Sequence, residues 1–206
     1  DADGMVTGLT RNAPTSWHDI LRAIDIRKGE ELFGLSIMSV RDRTVFIADT
    51  VVHENPTAQQ LADFAIQSAA KARTMGHVPR VALLSHTSFG GRYSDRIEEI
   101  RQAVKILESK KRNFTFDGEM SVSTALDPAM EAVYPFNRLG GPANVLIMPD
   151  LFSASIASRL LQKLGGANVI GPQLLGLSKP VEIGRLDATV SDILTNAVLA
   201  AHDAMN

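Results

Sequence analysis

Val81-Ala82-Leu83-Leu84 runs straight into Ser85-His86-Thr87-Ser88-Phe89-Gly90-Gly91-Arg92, and this stretch decides the fold. Four consecutive apolar residues before a turn signal read as a short strand buried on both faces. Beyond the Ser/Thr/Gly run, Ile97, Ile100, Val104 and Leu107 recur at helical spacing, so the unit is strand, loop, helix.

The same alternation continues in both directions. Upstream, Thr57 caps a helix with Leu61, Ala65, Ala69 and Ala72 on one face, stopping at Met75-Gly76. Before it, Phe33 to Val40 and Thr44 to Thr50 form a hairpin around Arg41-Asp42-Arg43, and Ser16 is the expected cap of a helix ending near Gly29. Downstream, strands are expected at 114–116, 144–148 and 168–170, with helices at 121–133, 153–164 and 189–204. Ser153 is the expected cap of the second of these helices, and Gly165-Gly166 its stop. Strands alternating with helices predict an α/β fold: a largely parallel sheet with helices on both faces.

With 206 residues and 45% hydrophobic content the chain can bury a large core. Its net charge of −2 offers no bulk attraction to nucleic acid or an anionic membrane. No apolar run reaches the roughly 20 residues of a membrane span, and no export signal opens the chain, which fits a cytoplasmic protein. Without cysteine there is no disulfide, thiol nucleophile or zinc thiolate site. His18, His53, His77, His86 and His202 are too scattered to predict a metal site. The opening Asp1-Ala2-Asp3-Gly4, without an initiator methionine, reads as part of something longer.

The 85–92 loop is the first candidate site, with Ser85, His86, Thr87, Ser88, Gly90, Gly91 and Arg92 as ligand contacts. Small residues before a helix let backbone N–H groups face an anion, and the helix dipole adds positive potential. Such loops lie at strand C-termini, where ligands bind α/β sheets. Phe89 interrupts the run of small residues.

Several segments together resemble the phosphate acetyltransferase (phosphotransacetylase) family. They are Asp1-Ala2-Asp3-Gly4-Met5-Val6-Thr7-Gly8, Asn55-Pro56-Thr57-Ala58 with Leu61-Ala62, Arg80 to Ser85, Pro142 to Leu151, Ile170 to Gly176, and Lys179-Pro180-Val181 with Asp192. Asp117-Gly118-Glu119-Met120, Tyr134-Pro135-Phe136 and Gly141 to Leu146 resemble one branch, the C-terminal domain of bacterial multidomain NADP-dependent malic enzymes. The family's terminal signature runs Lys-Pro-Val-Asn-Asp-Leu-Ser-Arg-Gly, and its Ser-Arg pair and a later Asp are catalytic. Here Arg185 and Leu186 stand at that pair, while Asp192 keeps the Asp. Leucine can neither donate to nor neutralise a developing oxyanion, so no catalytic residue is expected. Asp192 also has a structural role open to it, favouring the start of its own helix.

The resemblance implies a central lobe at 14–178 and remnants of a discontinuous first lobe at 1–13 and 179–206. It implies a regulatory and oligomerisation domain that binds acetyl-CoA as an allosteric inhibitor, with Asp150, Arg185 and Asp192 added to the ligand contacts. A homodimer through the central lobe and a malic enzyme module in cis follow, with NADP and a divalent metal confined to that module and no cofactor here. The alternatives are a structural dimerisation module without ligand and an active phosphate acetyltransferase.

Overall fold

The computed structural model describes residues 2–11, 13–110 and 112–205. Among the described residues eight strands form one sheet: β1 (Met5–Gly8), β2 (Phe33–Val40), β3 (Arg43–Ala48), β4 (Arg80–Leu84), β5 (Thr115–Met120), β6 (Val145–Ile147), β7 (Asn168–Leu175) and β8 (Val181–Gly184). Their order is β1-β8-β7-β2-β3-β6-β4-β5. Four pairings are parallel and three antiparallel, and the β3-β6-β4-β5 half is wholly parallel. The helices are α1 (Ala13–Ile20), α2 (Ala58–Thr74), α3 (Asp95–Ser109), α4 (Val122–Leu126), α5 (Leu151–Gly165) and α6 (Val190–Ala204). This is the α/β sandwich that the alternation predicts.

Sequence chemistry sets the element boundaries. Thr57 and Gln60 form a reciprocal capping box on α2, and Gly76 turns the chain away at φ 83°. Alanines at 62, 65, 69 and 72 let α2 lie close to the sheet, where Phe64 meets Phe33 at 4.7 Å between ring centroids. Ile97, Ile100, Val104 and Leu107 are buried beneath α3. Together α2 and α3 cover one face, with Phe33, Phe46, Val81 and Leu83 below them. A second core, around Met38, Ile47, Leu84 and Ala154, lies under α4 and α5. A third joins Ile20 to Leu174, Val181 and Ile183.

Five expectations need correction. Ser16 lies within α1 rather than capping it, and α1 ends at Ile20, not near Gly29. The 121–133 helix breaks after Leu126: Pro128 cannot donate a helical hydrogen bond and holds Asp127 extended at ψ 115°. A 3-10 turn, Pro128–Glu131, follows. The strand at 168–170 continues to Leu175, because a bulge in its pairing with β2 absorbs Gly171-Pro172. Asp150, not Ser153, caps α5, its Oδ1 accepting from Ser153 N at 2.7 Å. Gly166, left-handed at φ 65°, stops that helix as read.

Candidate functional site

β8 carries the chain from a buried strand to an open turn. Val181 to Gly184 are buried, and Arg185, Leu186 and Asp187 emerge beyond them. β1 closes against this end so tightly that only glycine fits at position 8, where φ is 107° and a Cβ would lie 2.1 Å from Gly184 O. The resulting cleft, of about 600 Å³, has Ile183 to Asp187 on one side and α5 on the other, with Ser36, Thr50 and Val51 along its floor.

The helix presents a polar stripe to that cleft: Ser155, Ser158, Arg159, Gln162 and Lys163. With Arg11 and Arg185, four cationic side chains line the cavity, against the carboxylate of Asp187. Arg185 Nε donates to Asp187 Oδ1 at 2.9 Å, which fixes the guanidinium at the cleft wall. That pairing, and the Arg185 charge, hold Asp187 below the usual carboxylate range. Arg159 has no hydrogen-bonded or ionic partner among the described residues, and Ser158 Oγ is buried without one. Arg11 is paired with Asp19, and Lys163 and Arg185 share Asp187, so Arg159 is the cation left free, and beside an unsatisfied hydroxyl it suits an anionic ligand. A smaller cleft of about 290 Å³ adjoins it, bounded by Gly171, Arg185, Ser191, Asp192 and Asn196.

Among the residues singled out from sequence, Arg185 borders both clefts and Asp192 borders the smaller one. Leu186 also lines the larger cleft, where it is 65% exposed. Asp150 sits at the start of α5, one residue before Leu151 on the cleft wall. Asp192 Oδ2 accepts from Thr189 N at 2.7 Å and from Thr189 Oγ1 at 2.9 Å, completing a capping box on α6. Those bonds hold its pKa below the usual carboxylate range, which makes it a weaker proton acceptor. Asp192→Ala should cost about 1 kcal/mol of stability through the lost cap, measured by urea unfolding. A cost within error of zero would contradict the capping role.

The 85–92 loop lines neither of these clefts. Ser88 Oγ is tied to Thr124 Oγ1 at 2.7 Å and accepts from Ser121 N at 2.9 Å. Gly90 N and Gly91 N donate to Glu119 Oε1 at 3.0 and 3.3 Å, so an anion already sits before these amides, and it belongs to the protein. Ser85 N donates to Met120 O, and Thr87 Oγ1 is buried without a partner. His86, Gly90 and Arg92 are the loop's exposed members among the candidate contacts. Sequence reasoning missed Arg11, Ser158, Arg159, Gln162 and Lys163. The signal for the α5 residues was present, since polar side chains at 155, 158, 159, 162 and 163 share one helical face.

Among the described residues no three His, Asp or Glu side chains converge as a metal site, and no helix is long and apolar enough to cross a membrane.

A parallel-rich sheet with helices on both faces and a cleft at the end of β8 defines a layered α/β domain, and its similarity to known proteins gives the family. Residues 1–201 match the phosphate acetyl/butaryl transferase family, and the chain belongs to it. It is 49% identical over 204 residues to the NADP-dependent malic enzyme of Rhizobium meliloti (strain 1021), covering 99% of this chain and 27% of that protein. It is 32% identical over 206 residues to the phosphate acetyltransferase of Bacillus subtilis (strain 168), covering 99% of this chain and 64% of the relative. A phosphotransacetylase structure from Streptococcus pyogenes superposes with a TM-score of 0.91 at 30% identity, over 99% of this chain and 63% of that one. The chain therefore spans about a quarter of the malic enzymes it resembles and under two thirds of these phosphotransacetylases.

Proposed function

We propose that this chain is a non-catalytic regulatory domain of an NADP-dependent malic enzyme, binding acetyl-CoA in the α5–β8 cleft. The observation that carries the reading is the cleft itself: four cations and an unpartnered serine hydroxyl, with Leu186 where the family signature has arginine. Coenzyme A bears three phosphate groups, and Arg11, Arg159, Lys163 and Arg185 supply complementary charge. Leucine at 186 and a capping role for Asp192 remove both the oxyanion stabiliser and the free base that acetyl transfer needs. NADP and a divalent metal would belong to a malic enzyme module in cis, outside these residues.

Inhibition then requires that acetyl-CoA favour one arrangement of this domain against that module, since a ligand shifts an equilibrium only by its differential affinity. A second reading, structural association, has its own observation. Phe152, Ile156, Leu160 and Leu164 form an exposed apolar stripe at four-residue spacing along α5, at 52–83% exposure. Self-association through this face of the central lobe is compatible with ligand binding on the polar stripe.

The test is calorimetric titration of acetyl-CoA into the complete protein and into its Arg159→Ala variant, together with malate oxidation assays. Loss of a charge-assisted contact should weaken binding about tenfold or more. Acetyl-CoA should inhibit malate oxidation, and acetyl phosphate should not turn over. Unchanged affinity would remove the cleft assignment, and turnover of acetyl phosphate would restore the catalytic alternative.

A further inference from the structure

Glu182 in β8 is fully buried, and it faces a polar cluster that the cleft does not use. In the antiparallel β7–β8 pair it stands opposite Gln173, which places the two side chains on the same face as direct neighbours. Neither Glu182 oxygen has a hydrogen-bond partner, and Gln173 Oε1 has none either. Gln173 Nε2 is already committed, donating to Asp203 of α6. Lys71 of α2 is only 6% exposed, and its Nζ meets Asp203 Oδ1 and Oδ2 at 2.6 and 2.5 Å. β7, α2 and α6 are thus bound through one carboxylate, with Glu182 against the cluster.

Three acceptor atoms without a donor make an incomplete network, and an ionised carboxylate there would be buried without a hydrogen bond. One proton relieves most of this, because a neutral Glu182 carries no buried charge and can donate O–H to Gln173 Oε1. We propose that Glu182 is a proton-carrying latch: protonated, it bonds Gln173 and holds α6 on the sheet; deprotonated, it releases α6. Because Ser191, Asp192, Thr195 and Asn196 of α6 wall the smaller cleft, release would also open that cleft.

The surrounding charges agree with this. α2 offers Lys71 and the neutral Ser68, α6 offers Asp203 and His202, β7 offers neutral Gln173, and β1 opposes Glu182 with Val6. Burial pushes Glu182 up to about 8; the Lys71 charge opposes the rise, the Asp203 charge adds to it, and the adjacent Gln173 amide opposes it. A carboxyl with a raised folded value contributes most below its ordinary value of 4.5, and that contribution is lost as pH climbs through about 8. Opening of α6 should therefore increase about tenfold per pH unit across that window and level off above it.

Hydrogen–deuterium exchange on the complete protein, read by peptide and corrected for intrinsic exchange, tests this. Between about pH 5.5 and 7.5, opening of the 190–204 peptides should rise by tens of times, with α3 unchanged, and Glu182→Gln should abolish the rise. Equal protection at both pH values, the same slope in Glu182→Gln, or an equal slope in α3 would overturn the latch. If Glu182→Gln does not fold, NMR of carboxyl-labelled glutamate in the wild type decides. One glutamate should titrate near the raised value, and ordinary titration of every glutamate would overturn the proposal.

Discussion

Asp49→Ala is expected to lower the unfolding free energy by about 3–5 kcal/mol, a larger loss than most single substitutions cause. Asp49 is 2% exposed, at the end of β3, and its carboxylate organises the turn that follows. Oδ1 accepts from Gly34 N and Val51 N at 2.8 Å each and from Val52 N at 3.1 Å. Oδ2 accepts from His53 N at 2.7 Å and pairs with His53 Nδ1 at 2.9 Å. Alanine would leave these donors without a partner in a site that water does not reach. Asparagine would not rescue it, since its amide would turn N–H groups toward N–H groups.

The loss should also depend on pH. Burial works against a charged His53, but the Asp49 hydrogen bond and charge, followed by those of Glu31 at 3.0 Å from Nε2, outweigh it and raise its pKa. A histidine raised in the folded state contributes fully below its ordinary value and loses that contribution as pH rises through the folded one. The deficit of Asp49→Ala should therefore be larger near pH 6 than near pH 8, which urea unfolding at both values measures. A deficit under about 1 kcal/mol at both would show that the turn stands without its carboxylate. Thr50 and Val51 line the larger cleft, so the same variant should disturb ligand binding there.

What could be read in advance follows from how local each signal is. Thr57, Gln60 and Gly76 announce α2 within one turn of its ends, and the period of Ile97, Ile100, Val104 and Leu107 announces α3. β7 was only half legible because Gly171-Pro172 is a breaker by local rules. The strand runs on because β2 and β8 flank it, and a bulge takes up the extra residue. β1 and β8 are four residues each, and they pair across more than 170 positions of chain. No local window carries that pairing. The degenerate signature located Arg185 at the cleft, but the opposite wall needed α5 to be placed across the sheet. The 85–92 loop is the instructive case. Its anion-facing amides were legible, whereas their partner Glu119 lies nearly thirty residues away on β5.

That internal pairing gives the second large effect: Glu119→Ala should destabilise by about 3 kcal/mol and loosen the 85–92 loop. Glu119 is 2% exposed, and Arg101 grips it from α3, Nε to Oε2 at 2.7 Å and Nη2 to Oε1 at 2.8 Å. The same guanidinium donates to Gly91 O at 3.0 Å, so removing Glu119 frees both the amides and the cation that frames them. The cost should sit at the lower end for a broken pair, because the Arg101 side chain is 30% exposed and can recover hydration. Burial by itself would raise the Glu119 pKa, but Arg101 and the Gly90 and Gly91 amides lower it overall. A depressed carboxylate contributes above its ordinary value of 4.5, and the contribution is lost as pH falls through the folded value. The difference between wild type and Glu119→Ala should therefore shrink in acid. Sulfate supplies the deciding measurement. If the loop is an anion cradle filled by Glu119, sulfate should raise the melting temperature of Glu119→Ala by more than its general stabilising effect on the wild type. Equal effects of sulfate on both proteins would mean that Glu119 is a structural tie and that the glycine amides have no intrinsic affinity for anions.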